Sequence, residues 1–250
     1  MPPQKRVPQT DAIFEQLKRV NPEADRARDT LRISIDAKAT VNVGPFSRRG
    51  RSRTGTKAAD HDFKPEATLT PFGIFLPEHD DLTLYMTRSK VTSDFIVDRL
   101  RDWWESNRVR FPGVTRLVLN LDNGPENHSR RTQFLKRIVG FARKYGLVVQ
   151  LAYYPPYHSK YNPIERCWGI LEMHWNGSLL DSVEAVLGFA RSMTWKGKHP
   201  AVHVVETTYA KGVSLKPEEM RALEAEVVRL PTLEKWFVSI PGRPKKRRAS

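Results

Sequence analysis

Three carboxylates, Asp36, Asp122 and Glu165, stand where a folded chain could hold them rigidly. Asp36 lies inside an alternating run that predicts a strand, Asp122 directly follows the apolar run 115–121, and Glu165 lies at the predicted start of a helix. If the two strands are neighbours and the helix packs across them, the three side chains converge. Cleaving a phosphodiester requires an activated nucleophile and a stabilised leaving oxygen, and two Mg²⁺ ions about 3.5–4 Å apart supply both when carboxylates hold them. The three residues therefore predict a metal-dependent nuclease site.

Each carboxylate also has a purely structural interpretation. Asp36 could pair with Lys38, two residues further along the same strand face. Asp122 could open an Asx-turn. Glu165 could close a capping box with Asn162 as the helix N-cap and a proline at the first helical position. For Glu165 alone this structural role is the stronger interpretation, but three separate coincidences on a strongly basic chain favour the nuclease site.

A second acidic pair competes with this set. Asp60 and Asp62 flank His61 in a segment that predicts a hairpin. We interpret the two aspartates as hairpin residues that pair with Lys57 or Lys64.

The charge of the chain predicts a polyanionic partner. The formal net charge is +14, and nucleic acid is the commonest partner of such a chain, although a basic surface kept for solubility is the alternative. Segments 48–57 and 241–248 are basic and contain no acid, and neither does 127–164. The residues predicted to contact DNA are Arg48, Arg49, Arg51, Arg53, Lys57, Arg130, Lys136, Arg137 and Lys144.

Composition excludes several classes of protein. The single cysteine, Cys167, excludes a disulfide framework and a multi-cysteine zinc site. No signal peptide follows the first methionine, and no run approaches the ~20 apolar residues that span a bilayer. We expect a soluble, cytoplasmic, nucleoid-associated protein with no membrane partner and no small-molecule cofactor.

The apolar patterning predicts an α/β fold, a mixed sheet flanked by helices. The predicted strands cover 31–43, 69–75, 82–87, 115–121 and 147–152, with one more after 201. The predicted helices run from Asp11 to about Val20, from Ser93, over 130–145, from 162 to about Trp175, and over 217–229. Pro22 and Gly146 are predicted helix ends, Ser93 is a predicted N-cap, and strand 31–43 is predicted to be buried on one face with Asp36 on the other. Trp168 is a predicted core residue.

Three sequence blocks resemble a known family. Residues 33–38, 119–127 and 158–169 contain Ile-Ser-Ile-Asp-Ala-Lys, Leu-Asn-Leu-Asp-Asn-Gly-Pro-Glu-Asn and His-Ser-Lys-Tyr-Asn-Pro-Ile-Glu-Arg-Cys-Trp-Gly. They resemble the catalytic blocks of bacterial insertion-sequence transposases with an RNase H-like DDE domain, specifically the Rhodopirellula-type family, which is distantly related to mariner-like transposases and retroviral integrases. The resemblance covers roughly residues 10–240. The interval from the second to the third carboxylate is longer than in the mariner-like class.

The resemblance implies a polynucleotidyl transferase that nicks transposon ends and joins the freed 3′-hydroxyl to target DNA as a homo-oligomer. Two Mg²⁺ or Mn²⁺ ions would be bound by Asp36, Asp122 and Glu165, with Asp122 bridging them. Further residues near the metals or the DNA would be Asn123, His158, Lys160 and Asn162.

The expected organisation is an N-terminal helix and linker over 1–30, the RNase H-like catalytic domain over 31–200, a helical C-terminal extension over 201–240 and a basic tail over 241–250. Related transposases carry an N-terminal helical domain that recognises transposon ends. Since only about 30 residues precede the first predicted catalytic strand, we expect a truncated or split transposase.

Two other functions fit the same residues. One is a different RNase H-like nuclease, such as a resolvase or an RNA–DNA hybrid hydrolase. The other is a non-catalytic basic DNA-binding protein whose carboxylates are structural. Nicking of DNA with Mg²⁺ separates the enzymes from the binding protein, and joining of 3′-hydroxyl ends separates the transposase from other nucleases.

Overall fold

The computed structural model describes residues 7–45 and 65–242. The chain divides into two units, the first made of 1–35, 92–162 and 210–250 and the second of 36–91 and 163–209. The predicted DNA contacts between Arg48 and Lys57, the pair Asp60 and Asp62, and most of the basic tail lie outside the described residues.

The described elements, in chain order, are α1 (Thr10–Arg26), β1 (Thr30–Ala37), β2 (Val41–Val43), β3 (Ala67–Leu76), β4 (Asp81–Thr87), α2 (Ser93–Asn107), β5 (Arg116–Leu121), α3 (Thr132–Tyr145), β6 (Val148–Tyr153), α4 (Ile164–Trp175), α5 (Val183–Ser192), β7 (Ala201–Val205), α6 (Pro217–Glu224), β8 (Val228–Arg229) and β9 (Phe237–Ile240). This arrangement confirms the predicted mixed α/β class. None of the described helices is long and apolar enough to cross a membrane.

In the first unit, three parallel strands form the centre of the sheet. β5 pairs with β1 on one side and with β6 on the other, and Asn120 lies opposite both Ser34 and Ala152. β9 and then β8 continue the sheet beside β6 in antiparallel pairing. α3 packs against α2 and β6. The carboxyl ends of β5 and β6 therefore lie side by side, and Asp122 directly follows β5.

In the second unit, the central strands of the sheet form a hairpin. β3 and β4 pair antiparallel around a turn at 77–80, β2 pairs with β3, and β7 pairs parallel with β4. α4 packs on β3 and α5 packs on α4 and β7. Trp168, Leu171 and Trp175 of α4 lie in the buried core of this unit.

Strand β1 is buried on both faces, so the predicted half-buried strand was wrong. Ser34 is 0% exposed and Asp36 is 9% exposed, although both belong to the polar set of the alternating pattern. A central parallel strand is covered on both faces. Polar side chains on such a strand must find partners, because an unpaired buried polar group is costly.

Two predicted helix boundaries in the first unit also differ. α1 continues past Pro22 to Arg26, because Val20 and Ala24 extend its buried face across the proline and Arg32 of β1 holds Asp25 in a two-bond ion pair. At α2 the N-cap is Thr92, whose hydroxyl accepts a hydrogen bond from the Phe95 N–H. The predicted N-cap, Ser93, instead donates to Glu126.

The C-terminal part is less helical than predicted. The helix expected over 217–229 ends at Glu224, and β8 and β9 follow it. Apolar runs as short as Phe237–Ile240 are ambiguous from sequence, and pairing with β6 decides the outcome. α5 was not predicted either.

Candidate metal-binding active site

Asp122 lies on the turn after β5 and uses its two oxygens differently. Its Oδ1 accepts hydrogen bonds from the Gly124 N–H at 3.1 Å and from Asn127 Nδ2 at 2.7 Å. The first of these bonds is the predicted Asx-turn. Oδ2 accepts no hydrogen bond from any residue in the described ranges. Oδ1 therefore stabilises the turn, while Oδ2 is available to bind a ligand such as a metal ion.

The turn around Asp122 is held from several sides. The Tyr153 hydroxyl donates to the Asn127 carbonyl at 2.6 Å, and Arg229 Nη2 donates to the Ser129 carbonyl at 2.8 Å. Burial raises the pKa of Tyr153 well above its ordinary value, with the charge of Asp122 adding to the shift and that of Arg229 opposing it. The phenol consequently stays protonated and remains a donor.

Asp36, at the end of β1, is oriented by the second-unit helix. Trp168 Nε1 of α4 donates to Asp36 Oδ2 at 2.8 Å. Lys38, the partner considered for Asp36 in the structural alternative, forms an ion pair with Glu172 at 3.0 Å. Trp168 was predicted only as a core residue, and nothing in its sequence context distinguishes an indole that packs from one that also holds a carboxylate.

Asn162 is a buried link to β1 and does not cap α4. Its side chain is 0% exposed, accepts from Ser34 Oγ at 2.6 Å and donates to the Ile35 carbonyl at 3.3 Å. The N-cap of α4 is Pro163, with no side-chain capping bond. The predicted capping arrangement was therefore wrong: the Asn162 amide holds the strand that leads into Asp36.

Glu165 lies in the first turn of α4 with a partly exposed side chain. It makes no hydrogen bond or ion pair with any residue within 7–45 or 65–242, so the capping role considered from the sequence is not filled. Residues three apart on a helix are neighbours. Glu165 therefore lies one turn before Trp168, the residue that donates to Asp36.

We expect Glu165→Gln to leave the free energy of unfolding within about 0.5 kcal/mol of the wild-type value, because the side chain makes no hydrogen bond or ion pair with a described residue that the substitution would remove. If Glu165 is a metal ligand, the same variant loses metal-dependent DNA cleavage. Chemical denaturation and a nicking assay on one preparation measure the two effects. A loss of stability near 1 kcal/mol would indicate a capping role instead.

Cys167 is fully buried in the second-unit core. Burial, with a smaller contribution from the charge of Asp80, raises the pKa of the thiol to about 12. Since only the thiolate reacts readily, we expect almost no alkylation of the native protein at pH 8 and one equivalent of label after unfolding in guanidinium. Mass spectrometry counts the label on this single cysteine. Native labelling as fast as in denaturant would contradict the buried placement.

Three of the cations predicted to contact DNA are engaged in ion pairs. Arg137 contacts both Asp94 and Asp98 of α2, and Lys144 contacts Glu105 at 2.7 Å. Lys136 lies 3.6 Å from Glu219 of α6. The acid-free stretch in the sequence thus receives its counter-charges from α2 and α6, while Arg130 is exposed.

The remaining predicted site residues differ in exposure. His158 is 4% exposed, its Nδ1 lies 2.8 Å from the Pro156 carbonyl, and its ring contacts Phe14 edge-on. Lys160 is exposed. Asn123 has a left-handed backbone with φ of 62°. A packing role thus accounts for His158, whereas Lys160 is open to solvent.

The oxygens present suit a hard cation. A carboxylate oxygen of Asp122 and the carboxylate of Glu165 are uncommitted, and Asn127 Oδ1 is buried without a hydrogen-bond partner in the described chain. Hard divalent cations prefer such oxygen ligands. Within the described ranges, no group of three or more His, Cys, Asp or Glu side chains is placed to hold a metal ion. Asp122 belongs to the first unit and Asp36 and Glu165 to the second, so convergence of the three stays a prediction.

The fold is RNase H-like, as in the catalytic domain of the Mos1 transposase. The Mos1 transposase in its paired-end complex with the left transposon end is 11% identical to this chain in sequence. Its structure matches with a TM-score of 0.50, over 75% of this chain and 55% of the Mos1 chain. The mariner Mos1 paired-end complex with Mg shares 12% identity and a TM-score of 0.50, over 79% and 60%. This chain thus corresponds to less than two thirds of the Mos1 chains. A comparison with curated proteins finds no match.

The family described as the Rhodopirellula transposase DDE domain matches residues 1–242. The chain belongs to this family, as the three sequence blocks predicted.

Proposed function

We propose that this chain is the catalytic domain of a DDE transposase that nicks DNA at the ends of a mobile element and joins the freed 3′-hydroxyl to target DNA. The observation that supports the proposal is which hydrogen-bond partners the three carboxylates have and which they lack among the described residues. Asp122 Oδ2 and Glu165 accept no hydrogen bond from any described residue, and Asp36 is held by Trp168 at the end of a buried strand.

Each step balances without a further reactant. In the first, a water oxygen bonds to phosphorus, the bond from phosphorus to the 3′-oxygen breaks, and that oxygen takes up a proton. In the second, the freed 3′-oxygen bonds to a target phosphorus and displaces the target 3′-oxygen. The first step replaces a phosphoester bond by a P–OH bond, and the second exchanges one phosphoester bond for another, with the proton of the attacking hydroxyl passing to the displaced 3′-oxygen. Two bound Mg²⁺ or Mn²⁺ ions would activate the nucleophile and stabilise the leaving oxygen.

The residues of this chain would supply positions and ligands. Asp122 would bridge the two ions, Asp36 would ligate one of them and Glu165 would complete the second site. Trp168 orients Asp36 through its indole N–H, and Asn162 holds the strand before it. Such support matters because small displacements of a reacting group cost large factors in rate.

DNA is the proposed partner, at the transposon ends and at the target. The Mos1 neighbours are complexes with transposon ends, and the net charge of +14 suits phosphate contacts. Arg130 and Lys160 are exposed and are the proposed contacts among the described cations. Because joining requires two ends, we propose that the chain acts as a homo-oligomer on DNA in the nucleoid.

Supercoiled plasmid incubated with the protein and Mg²⁺ or Mn²⁺ tests the proposal. Nicked circles that depend on the metal support a nuclease, and covalent joining of a labelled 3′-hydroxyl oligonucleotide to the plasmid supports a transposase. Nicking without joining would favour another RNase H-like nuclease. DNA binding without either reaction would favour the non-catalytic protein.

A further inference from the structure

Two oxygen acceptors on the turn 122–127 lack hydrogen-bond donors within residues 7–45 and 65–242. Asn127 is 8% exposed, and its Oδ1 atom is buried with no donor among the described residues. Asp122 Oδ2 likewise accepts no hydrogen bond there. A buried acceptor left unpaired costs about 1–3 kcal/mol, so Asn127 Oδ1 needs a partner, and a cation bound at Asp122 Oδ2 would supply one.

Gly124 leaves the space between these oxygens open. A Cβ atom at this position would lie 3.1 Å from Asp122 Oδ2, 3.3 Å from Asp122 Oδ1 and 3.5 Å from Asn127 Oδ1. The three oxygens thus all lie within 3.5 Å of one point. Gly124 is not among the residues with positive φ, so its backbone conformation does not require glycine. The requirement comes from the space.

The turn also fixes which atom of the Asn127 amide faces this space. Asn127 Nδ2 donates to Asp122 Oδ1 at 2.7 Å, which leaves the amide oxygen as the free atom. The Asn127 carbonyl is held by the Tyr153 hydroxyl, a donor at all ordinary pH values. The amide oxygen is therefore presented by a supported backbone.

We propose that Asn127 Oδ1 is a ligand, beside Asp122, of the divalent cation at this turn, and that Gly124 keeps the coordination space open. Carboxylate and amide oxygens are suitable ligands for Mg²⁺ and Mn²⁺. The inference rests on the proposed function, since it adds a ligand to the metal site proposed there, and it places Asp122, Gly124 and Asn127 within a six-residue turn of the first unit.

Binding of Mn²⁺ to the full chain without DNA, measured by the loss of the free Mn²⁺ signal in electron paramagnetic resonance, tests the inference. We expect Asn127→Ala and Gly124→Ala each to weaken binding by about 10-fold, the loss typical of a disturbed metal site. Asn127→Asp is expected to bind Mn²⁺ several-fold more tightly, because affinity rises with ligand charge. Asn42→Asp adds the same charge at an exposed position of β2 and should leave binding unchanged.

Asp122→Asn separates failure of the inference from failure of the proposed function. If Asp122→Asn weakens binding and both Asn127 variants bind like the wild type, Asn127 is not a ligand and the proposed function stands. If Asp122→Asn also binds like the wild type, the metal site itself is wrong. Should Asn127→Ala fail to fold, Asn127→Asp decides: binding no tighter than that of Asn42→Asp overturns the inference.

Discussion

Asp122→Asn should abolish metal-dependent nicking and joining while the chain stays folded. Asparagine can keep the two hydrogen bonds that Oδ1 accepts from Gly124 and Asn127. At the Oδ2 position it places an NH₂ group, a donor where a cation requires a ligand. If the lost ligand accounts for about 4 kcal/mol of transition-state stabilisation, the rate falls about 10³-fold.

The measurement is plasmid nicking at matched protein concentration, together with the melting temperature of each variant. Asp181→Asn is the matched control, because Asp181 is exposed before α5 and the substitution removes the same charge. Nicking by Asp122→Asn at the wild-type rate would falsify the metal-site assignment. Equal losses in both variants would show that charge alone is responsible.

Gly73→Val should displace α4 and inactivate the protein. A Cβ atom at position 73 of β3 would lie 2.6 Å from Ile164 Cδ1 and 2.8 Å from the Trp168 ring, closer than such atoms pack. Overpacking of a tight core typically costs about 1–3 kcal/mol. Trp168 also donates to Asp36, and Glu165 lies in the same helix. We therefore expect the rate of DNA cleavage to fall by more than the loss in free energy of unfolding alone would explain.

Gly169→Ala supplies the opposite result on the same helix. Gly169 is exposed, and a Cβ atom there would have no neighbour within 4 Å among the described residues. Replacing glycine by alanine inside a helix stabilises by roughly 0.5–1 kcal/mol. Denaturant unfolding measures both variants. A Gly73→Val protein as stable as the wild type would show that α4 does not pack on β3 as described.

Local patterns in the sequence predicted much of the scaffold. The hairpin of β3 and β4, strands β5 and β6, and helices α3 and α4 are near their predicted positions, and Gly146 ends α3 with a left-handed backbone. Alternation and helical spacing act over a few residues, so a single sequence shows them. The family was also evident from three short blocks, because their residue types and order are specific.

Interactions between distant segments were beyond that reach. Asn162 has the local sequence of a helix cap, yet its amide binds Ser34 and Ile35. Arg137 was predicted to contact DNA because its stretch of sequence contains no acid. In the structure it forms ion pairs with two carboxylates of α2, which is far away in the sequence.

By itself, the sequence determined the fold class, the family and the three carboxylates that the family's chemistry would use. Only the tertiary structure decided which atoms around them have hydrogen-bond partners. Trp168 holds Asp36, Glu165 does not cap its helix, and the amide oxygen of Asn127 is buried beside Asp122 with no donor among the described residues. The physical reason is that residue type and spacing specify local backbone structure, whereas hydrogen-bond partners of buried polar groups depend on residues brought together by folding.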